Sequence, residues 1–257
     1  MKLLMIGCGK MGGALLEGWL TAGLKGAVVV DPGLDEAPTG TSLAAGPDSL
    51  AGQQFDLIII AIKPQMVDTV LPAYHGVLAP GGCFVSIAAG ASLNRLQKLV
   101  DGPVIRVMPN LPALIGKGIT AIATNGTRDA HLAQLQSLFA ANGSVVLVDG
   151  EEDIDRFTAV AGSGPGYVFE IVRCYLNAAE DIGFSSDIAR KLVLETLVGS
   201  ADMALMSQES METLRNNVTS KAGTTEAGLK QLRDGNDLET RFKKTIRAAF
   251  NRAQELG

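Results

Sequence analysis

Two stretches of this 257-residue chain combine residue types at spacings that can do chemistry. The first is Gly7-Cys8-Gly9-Lys10-Met11-Gly12, a G-x-G-x-x-G run. Glycine at 7 permits a tight turn, glycine at 9 lets backbone approach a pyrophosphate, and glycine at 12 lets a helix lie close to a strand. A glycine-rich turn without a ligand spells the same letters, so the flanks decide. Leu3–Ile6 reads as a short buried strand, and Ala14, Leu15, Gly18, Trp19 and Ala22 recur at helical spacing. Strand, turn and helix in that order make a dinucleotide cradle, with helix N–H groups facing the anion. The second stretch, Asn217–Glu226, leaves a helix, crosses a turn of small residues and starts a new helix. Free N–H groups are expected at Gly223, Thr224 and Thr225, forming an anion site suited to a carboxylate. A well-capped helix start is the plain alternative.

Asp31 ends the next apolar run, Gly26–Val30, about 20 residues past the glycines, where a ribose 2′-hydroxyl would be held. No Lys or Arg occurs from Gly26 to Ile62 to meet a 2′-phosphate, so the local chemistry leans to NADH. A turn aspartate before Pro32 is the other reading of Asp31. Ser163, in Ala161–Tyr167, is no hydrolase nucleophile: Ala161 stands where the G-x-S-x-G elbow needs glycine, and no histidine follows His131. That stretch reads as a close link between helices, with Ser163 as a cap. His75 and His131 read as surface residues.

The positioning elements follow from periodicity. Strands are expected at Leu57–Ile62, Gly82–Ile87, Val104–Met108, Ile119–Ala123 and Ser144–Val148, with helices at Ser92–Val100 and Asp129–Ala141. Gly33–Gly52 reads as loop with one short helix. This alternation predicts an α/β Rossmann-type, doubly wound parallel sheet over residues 1–150. Its ligand edge would be Gly7–Gly9, Asp31, Ile62–Pro64, Ala88–Gly90 and Pro109–Asn110. Residues 151–257 read as an all-α domain, with helices expected around Val168–Ile182, at Ser186–Met206, Ser210–Asn217 and Thr225–Arg233, and a charged last one at Asp237–Glu255. Ser186–Met206 is apolar on nearly every side, so a second subunit is expected to cover part of it.

Bulk properties exclude several classes. A net charge of −5 argues against nucleic acid as the main partner. The longest apolar run, Leu57–Ile62, is too short to span a bilayer, and Met1–Ile6 is too short for a signal peptide. Cys8, Cys83 and Cys174 are scattered and odd in number, which suggests a reducing, cytoplasmic compartment without a disulfide framework or metal site.

The whole chain resembles the pyrroline-5-carboxylate reductases. The resemblance rests on IGCGKMG, AIKPQ (Ala61–Gln65), SIAAG (Ser86–Gly90), MPNLP (Met108–Pro112), AGSGPGY (Ala161–Tyr167) and VTSKAGTTEAGL (Val218–Leu229), in that order. It implies a Rossmann domain, a helical dimerisation domain, homodimers often gathered into decamers, and hydride transfer from NADPH or NADH to C5 of 1-pyrroline-5-carboxylate, giving L-proline. It further implies a cofactor held by Ile6, Gly7, Cys8, Gly9, Lys10 and Met11, by Ala61, Ile62, Lys63 and Pro64, and by Ile87, Ala88 and Ala89. The substrate would meet Asn217, Gly223, Thr224 and Thr225, with Glu151 a further candidate and Thr225 near the ring nitrogen. One departure stands out: the family usually has Pro-Gly or a similar pair where this chain has Lys221-Ala222. Loss of proline loosens the turn, and alanine restricts it where glycine would not. Lys221 is either a solvated cation or a partner for the substrate carboxylate or a cofactor phosphate.

Three rival functions start from the same cradle. β-Hydroxyacid dehydrogenases also begin with G-x-G-x-M-G, but they use a lysine on a helix after the Rossmann domain, and this chain has none between Lys117 and Lys191. A related cyclic imine is a second substrate class. A non-catalytic dinucleotide-binding sensor would need only the cradle and an apolar interface, leaving the Gly223–Thr225 turn surplus.

Overall fold

Leu3, Leu4, Met5 and Ile6 are all buried in the computed structural model, as a central parallel strand covered on both faces requires. The structure describes residues 1–124 and 130–256. Asp129, expected to open a helix, lies outside them.

Eight strands form one sheet: β1 (Leu3–Ile6), β2 (Ala27–Val30), β3 (Thr41–Leu43), β4 (Phe55–Ile60), β5 (Leu78–Ser86), β6 (Val104–Met108), β7 (Gly118–Ala123) and β8 (Gly143–Val148). Their order is β3-β2-β1-β4-β5-β6-β7-β8. Successive side chains of a strand point to opposite faces, and the core divides accordingly. Leu3, Met5, Val29, Leu57 and Ile59 lie on one face with Trp19 and Phe139. Leu4, Ile6, Val28, Ile58 and Ile60 lie on the other with Phe55 and Phe84. Trp19, on α1 (Lys10–Thr21), meets Phe139, on α4 (Ala130–Ala140), edge to face at 5.3 Å. The short helices α2 (Val67–Val70) and α3 (Leu93–Gln97) follow β4 and β5.

The sheet corrects the wholly parallel expectation in one place. β7 runs antiparallel to β6, pairing Val107 with Ile122 and Met108 with Ala121. A parallel crossover needs a dozen or more residues. The link from Met108 to Gly118 is shorter and holds only a 3-10 turn, Leu111–Ile115, so the chain doubles back. The segment expected as loop, Gly33–Gly52, also contains β3, which pairs in parallel with β2. Three residues are too few to show a strand's alternation.

The chain forms two compact units: Met1–Pro165 with Ala248–Gly257, and Gly166–Arg247. After β8 come α5 (Glu151–Phe157), a π-helical turn at Thr158–Gly162, and α6 (Gly164–Asp181). Then follow α7 (Ser186–Met206), α8 (Met211–Asn217), α9 (Thr224–Leu232) and α10 (Asp237–Leu256). The second unit has a small core, Ala179, Ala189 and Val193, with Val172, Leu176 and Leu197 packed on it. Many of its large apolar side chains stay exposed, including Phe169 on α6 and Ile188, Val198 and Met203 on α7. Among the described residues, no helix is long and apolar enough to cross a membrane.

Candidate active site

The glycine turn is built by exclusion of side chains. Gly7 has φ +87°, and a Cβ there would lie 2.7 Å from the Ala61 carbonyl oxygen. A Cβ at Gly12 would lie 2.8 Å from the Gly7 carbonyl oxygen. Both contacts are closer than real Cβ atoms come, so α1 can rest on the ends of β1 and β4 only with glycine at both positions. Gly9 is the N-cap of α1, and no side chain caps the helix there. Nothing lies within 4 Å of where its Cβ would be. The first N–H groups of a helix have no carbonyl partner within it. Open space beside uncapped donors is what a bound diphosphate needs, so these residues fit a dinucleotide.

The other expected cofactor residues gather at the same sheet edge. Ile6 is level with Val30 and with Ile60, and Ile60 with Ser86. Gly7, Asp31, Ala61 and Ile87 are therefore each one step past a strand end. The Ala61 N–H donates to the Ile6 carbonyl at 2.8 Å, and the Ile87 N–H to that of Ile60 at 3.1 Å. Lys63 caps the 3-10 turn Pro64–Met66. Ala88 donates its N–H to Ser86 Oγ at 3.3 Å.

Asp31 makes both a local and a long-range hydrogen bond. Its Oδ1 accepts the Gly33 N–H at 2.8 Å, a local aspartate turn, while its Oδ2 accepts the Cys8 N–H at 2.6 Å. The carboxylate thus props the glycine turn from the neighbouring strand. Burial, and then the Asp31 charge, push the Cys8 thiol above its ordinary pKa, which keeps it a neutral packing group.

Two arginines that support this edge carry no motif, so spacing in the sequence does not reveal them. Arg95 Nη2 donates to the Pro64 carbonyl at 3.1 Å and, with Nε, forks onto Asp68 at 2.7 and 3.0 Å. That fork holds the Asp68 carboxyl below its usual pKa. Arg106, buried on β6, donates to Glu151 Oε1 at 2.7 Å. The same Glu151 oxygen accepts the Leu93 N–H at 2.6 Å. Glu151 therefore ties α5 to β6 and to the start of α3. Asn110, expected at the ligand edge, is buried and spends its side chain inside the fold. Its Oδ1 accepts the Ile119 N–H at 2.9 Å, and its Nδ2 donates to the Ala161 carbonyl at 3.1 Å, so it braces the π-helical turn.

The second unit carries Asn217 at the end of α8, where its Nδ2 donates to Glu209 Oε2 at 3.2 Å. The turn that follows corrects one expectation. The Gly223 N–H is not free: it donates to the Ser220 carbonyl at 3.0 Å, closing the turn. Gly223 is instead the N-cap of α9, and a Cβ on it would lie 2.3 Å from Ser220 Oγ. Thr224 and Thr225, both exposed, head the helix and present its first N–H groups. Ala222 has φ +60°, the one non-glycine residue with positive φ among the described residues, a conformation that costs a residue with a Cβ about 1–2 kcal/mol.

A mostly parallel sheet with a glycine turn feeding an uncapped helix, followed by a helical unit, defines a dinucleotide-dependent α/β protein. Residues 2–90 match the family described as NADP oxidoreductase, coenzyme F420-dependent, and residues 151–256 match pyrroline-5-carboxylate reductase dimerisation. The pyrroline-5-carboxylate reductase of Pseudomonas aeruginosa is 34% identical over 99% of this chain and 96% of its own length. That of Haemophilus influenzae is 32% identical over 98% of this chain and 96% of its own. The solved Coxiella burnetii enzyme superposes with a TM-score of 0.89 at 31% identity, covering 100% of this chain and 98% of that one. The Plasmodium falciparum enzyme, solved with NADP bound, gives 0.88 at 27% identity with the same coverage. This chain belongs to the pyrroline-5-carboxylate reductase family.

The Glu151 contacts generate a discriminating mutation. Glu151→Ala removes the hydrogen-bonded carboxylate of a buried guanidinium and leaves only the nearby Asp155 charge, and should lower stability by about 2–3 kcal/mol in urea unfolding, below the value for a fully buried pair because Glu151 is partly exposed. Adding Arg106→Met should recover most of the loss. An undiminished stability with a raised substrate KM would instead make Glu151 a substrate contact.

Proposed function

We propose that this chain reduces the C=N bond of 1-pyrroline-5-carboxylate to give L-proline, using NADH or NADPH. The observation that carries this reading is full-length similarity to named pyrroline-5-carboxylate reductases, with both anion-binding turns present in order. The same similarity disfavours the dehydrogenase, the other-imine and the sensor readings.

A protonated cyclic imine is already electrophilic at C5, so the protein needs little acid–base machinery. Reduced nicotinamide, when bound, supplies the hydride. The residues proposed to hold it are Ile6–Met11, Ala61–Pro64 and Ile87–Ala89. Thr224 and Thr225 N–H groups would take the substrate carboxylate, and Thr225 Oγ the ring nitrogen. Asn217 and the further candidate Glu151 complete the proposed substrate set, while Gly223, whose N–H is given to Ser220, serves as the N-cap of α9. Orientation of this kind can supply several kcal/mol of the barrier.

Asp31 is proposed to hold the ribose hydroxyls and to favour NADH. Each carboxylate oxygen can accept more than one hydrogen bond, so the bonds to Cys8 and Gly33 leave acceptor capacity. A 2′-phosphate would meet this negative charge with no Lys or Arg between Gly26 and Ile62 to offset it. The NADP in the Plasmodium relative belongs to that protein.

Residues 1–150 are proposed as the cofactor domain and 151–257 as the substrate and dimerisation domain. The exposed apolar side chains of α6 and α7, with the dimerisation-family match, support self-association. A homodimer is the proposed assembly, with the decamer as the alternative. The cytoplasm is the proposed location, supported by the odd number and scattered spacing of Cys8, Cys83 and Cys174. Lys221 is exposed, which supports a solvated cation.

The test is loss of reduced-nicotinamide absorbance with pyrroline-5-carboxylate, run in parallel with both cofactors. Turnover is expected, with kcat/KM roughly tenfold or more higher for NADH; no turnover with either cofactor would defeat the reductase reading, and a preference for NADPH would defeat the role given to Asp31. In the same assay Thr225→Val should fold normally and lose roughly tenfold in kcat, the size of one hydrogen bond to a charged nitrogen. An unimpaired variant would place the nitrogen contact elsewhere.

A further inference from the structure

We infer that Glu226 is a positioning residue for the substrate turn, acting as a latch on Ala222; this rests on the reading that Thr224 and Thr225 bind the substrate. Glu226 Oε2 accepts the Ala222 N–H at 2.6 Å. The geometry explains why the latch reaches that far. In the usual capping box, the third helical residue bonds the N–H of the N-cap. Here the N-cap is Gly223, whose N–H is already given to the Ser220 carbonyl. The next donor back is Ala222, and Glu226 takes it.

Ala222 is also where the turn needs help. Its φ of +60° is a conformation that glycine adopts freely and alanine does not. Nothing in the side chain of alanine can hold that conformation, so the restraint must come from elsewhere. Glu226 is the third residue of α9, immediately after Thr225, and its carboxylate joins the strained residue to the first helical turn. The latch thereby fixes how the chain enters α9, and with it the direction of the Thr224 and Thr225 N–H groups. Its action is assigned to the substrate because Thr224 and Thr225, the proposed substrate donors, follow the latched residue directly in the chain.

Steady-state kinetics with pyrroline-5-carboxylate, on the full chain, test this with three variants. Glu226→Ala should raise the substrate KM roughly tenfold, as for one charge-assisted hydrogen bond, and leave the cofactor KM unchanged. Glu226→Gln keeps an accepting oxygen and should stay within about threefold of the parent protein. In an Ala222→Gly background the left-handed turn is unstrained, so adding Glu226→Ala should then cost less than about threefold. An equal penalty in both backgrounds, a Gln variant as impaired as the Ala variant, or an equal rise in cofactor KM would each overturn the latch. Hydrogen exchange at the Ala222 amide reads the same contact without activity. Exchange should speed up in Glu226→Ala, and unchanged exchange would overturn the latch even in a protein that reduces the imine. If the parent protein does not turn over, the reductase reading falls while the exchange result still judges the latch.

Discussion

The constraint on which the first glycine turn depends is the space that Gly7 and Gly12 leave empty. A single methyl at either position would meet backbone oxygen at 2.7 or 2.8 Å. Because both side chains are missing, α1 packs on the ends of β1 and β4 and carries its uncapped N-terminus past the sheet edge. Asp31 then reaches from the end of β2 to the Cys8 N–H, so the turn is braced from the neighbouring strand as well. Movement of α1 would disturb the core too, since Leu15, Leu16 and Trp19 are buried against the sheet.

The two turns proposed to bind anions are both made of backbone, but their geometry is secured differently. The first uses glycine where left-handed or close-packed backbone is needed. The second places Ala222 in a conformation suited to glycine and answers with a side-chain carboxylate. The supporting charges follow the same division of labour. Arg95 and Arg106 hold backbone and carboxylates around the edge proposed for the cofactor, at Pro64, Asp68 and Glu151. Neither belongs to a motif; Arg95 holds main chain directly at Pro64, and Arg106 acts through Glu151, which accepts the Leu93 N–H.

Much of this is legible from residue types. The strand–glycine–helix order at residues 3–22 and the helical character beyond Gly150 follow from periodicity, because those elements are long or fully buried and their patterns are unambiguous. β3 is hidden because Thr41–Leu43 is too short to alternate. The antiparallel turn of β7 is hidden for a different reason: strand direction depends on link length, and the prolines at 109 and 112 mark a break without setting a direction. In the site, glycine spacing locates the first cradle, whereas the occupied Gly223 N–H depends on a hydrogen bond to Ser220 that spacing alone does not reveal. Asn110 shows the same limit: its place past a strand end points to ligand contact, while its side chain is spent inside the fold. The bonds of Glu151 to Arg106 and to the Leu93 N–H are likewise invisible to spacing. Alanine at 222 is visible as a departure from the family's pair, but its positive φ is not.

Central to this reading is direct hydride transfer, from a nicotinamide held at one backbone turn to a cyclic imine held at another. The most direct test is reduction of pyrroline-5-carboxylate by NADH carrying deuterium at both C4 positions, in ordinary water, with mass analysis of the product. The expected product is L-proline with one deuterium, located at C5. Unlabelled proline, or label at any other carbon, would contradict it.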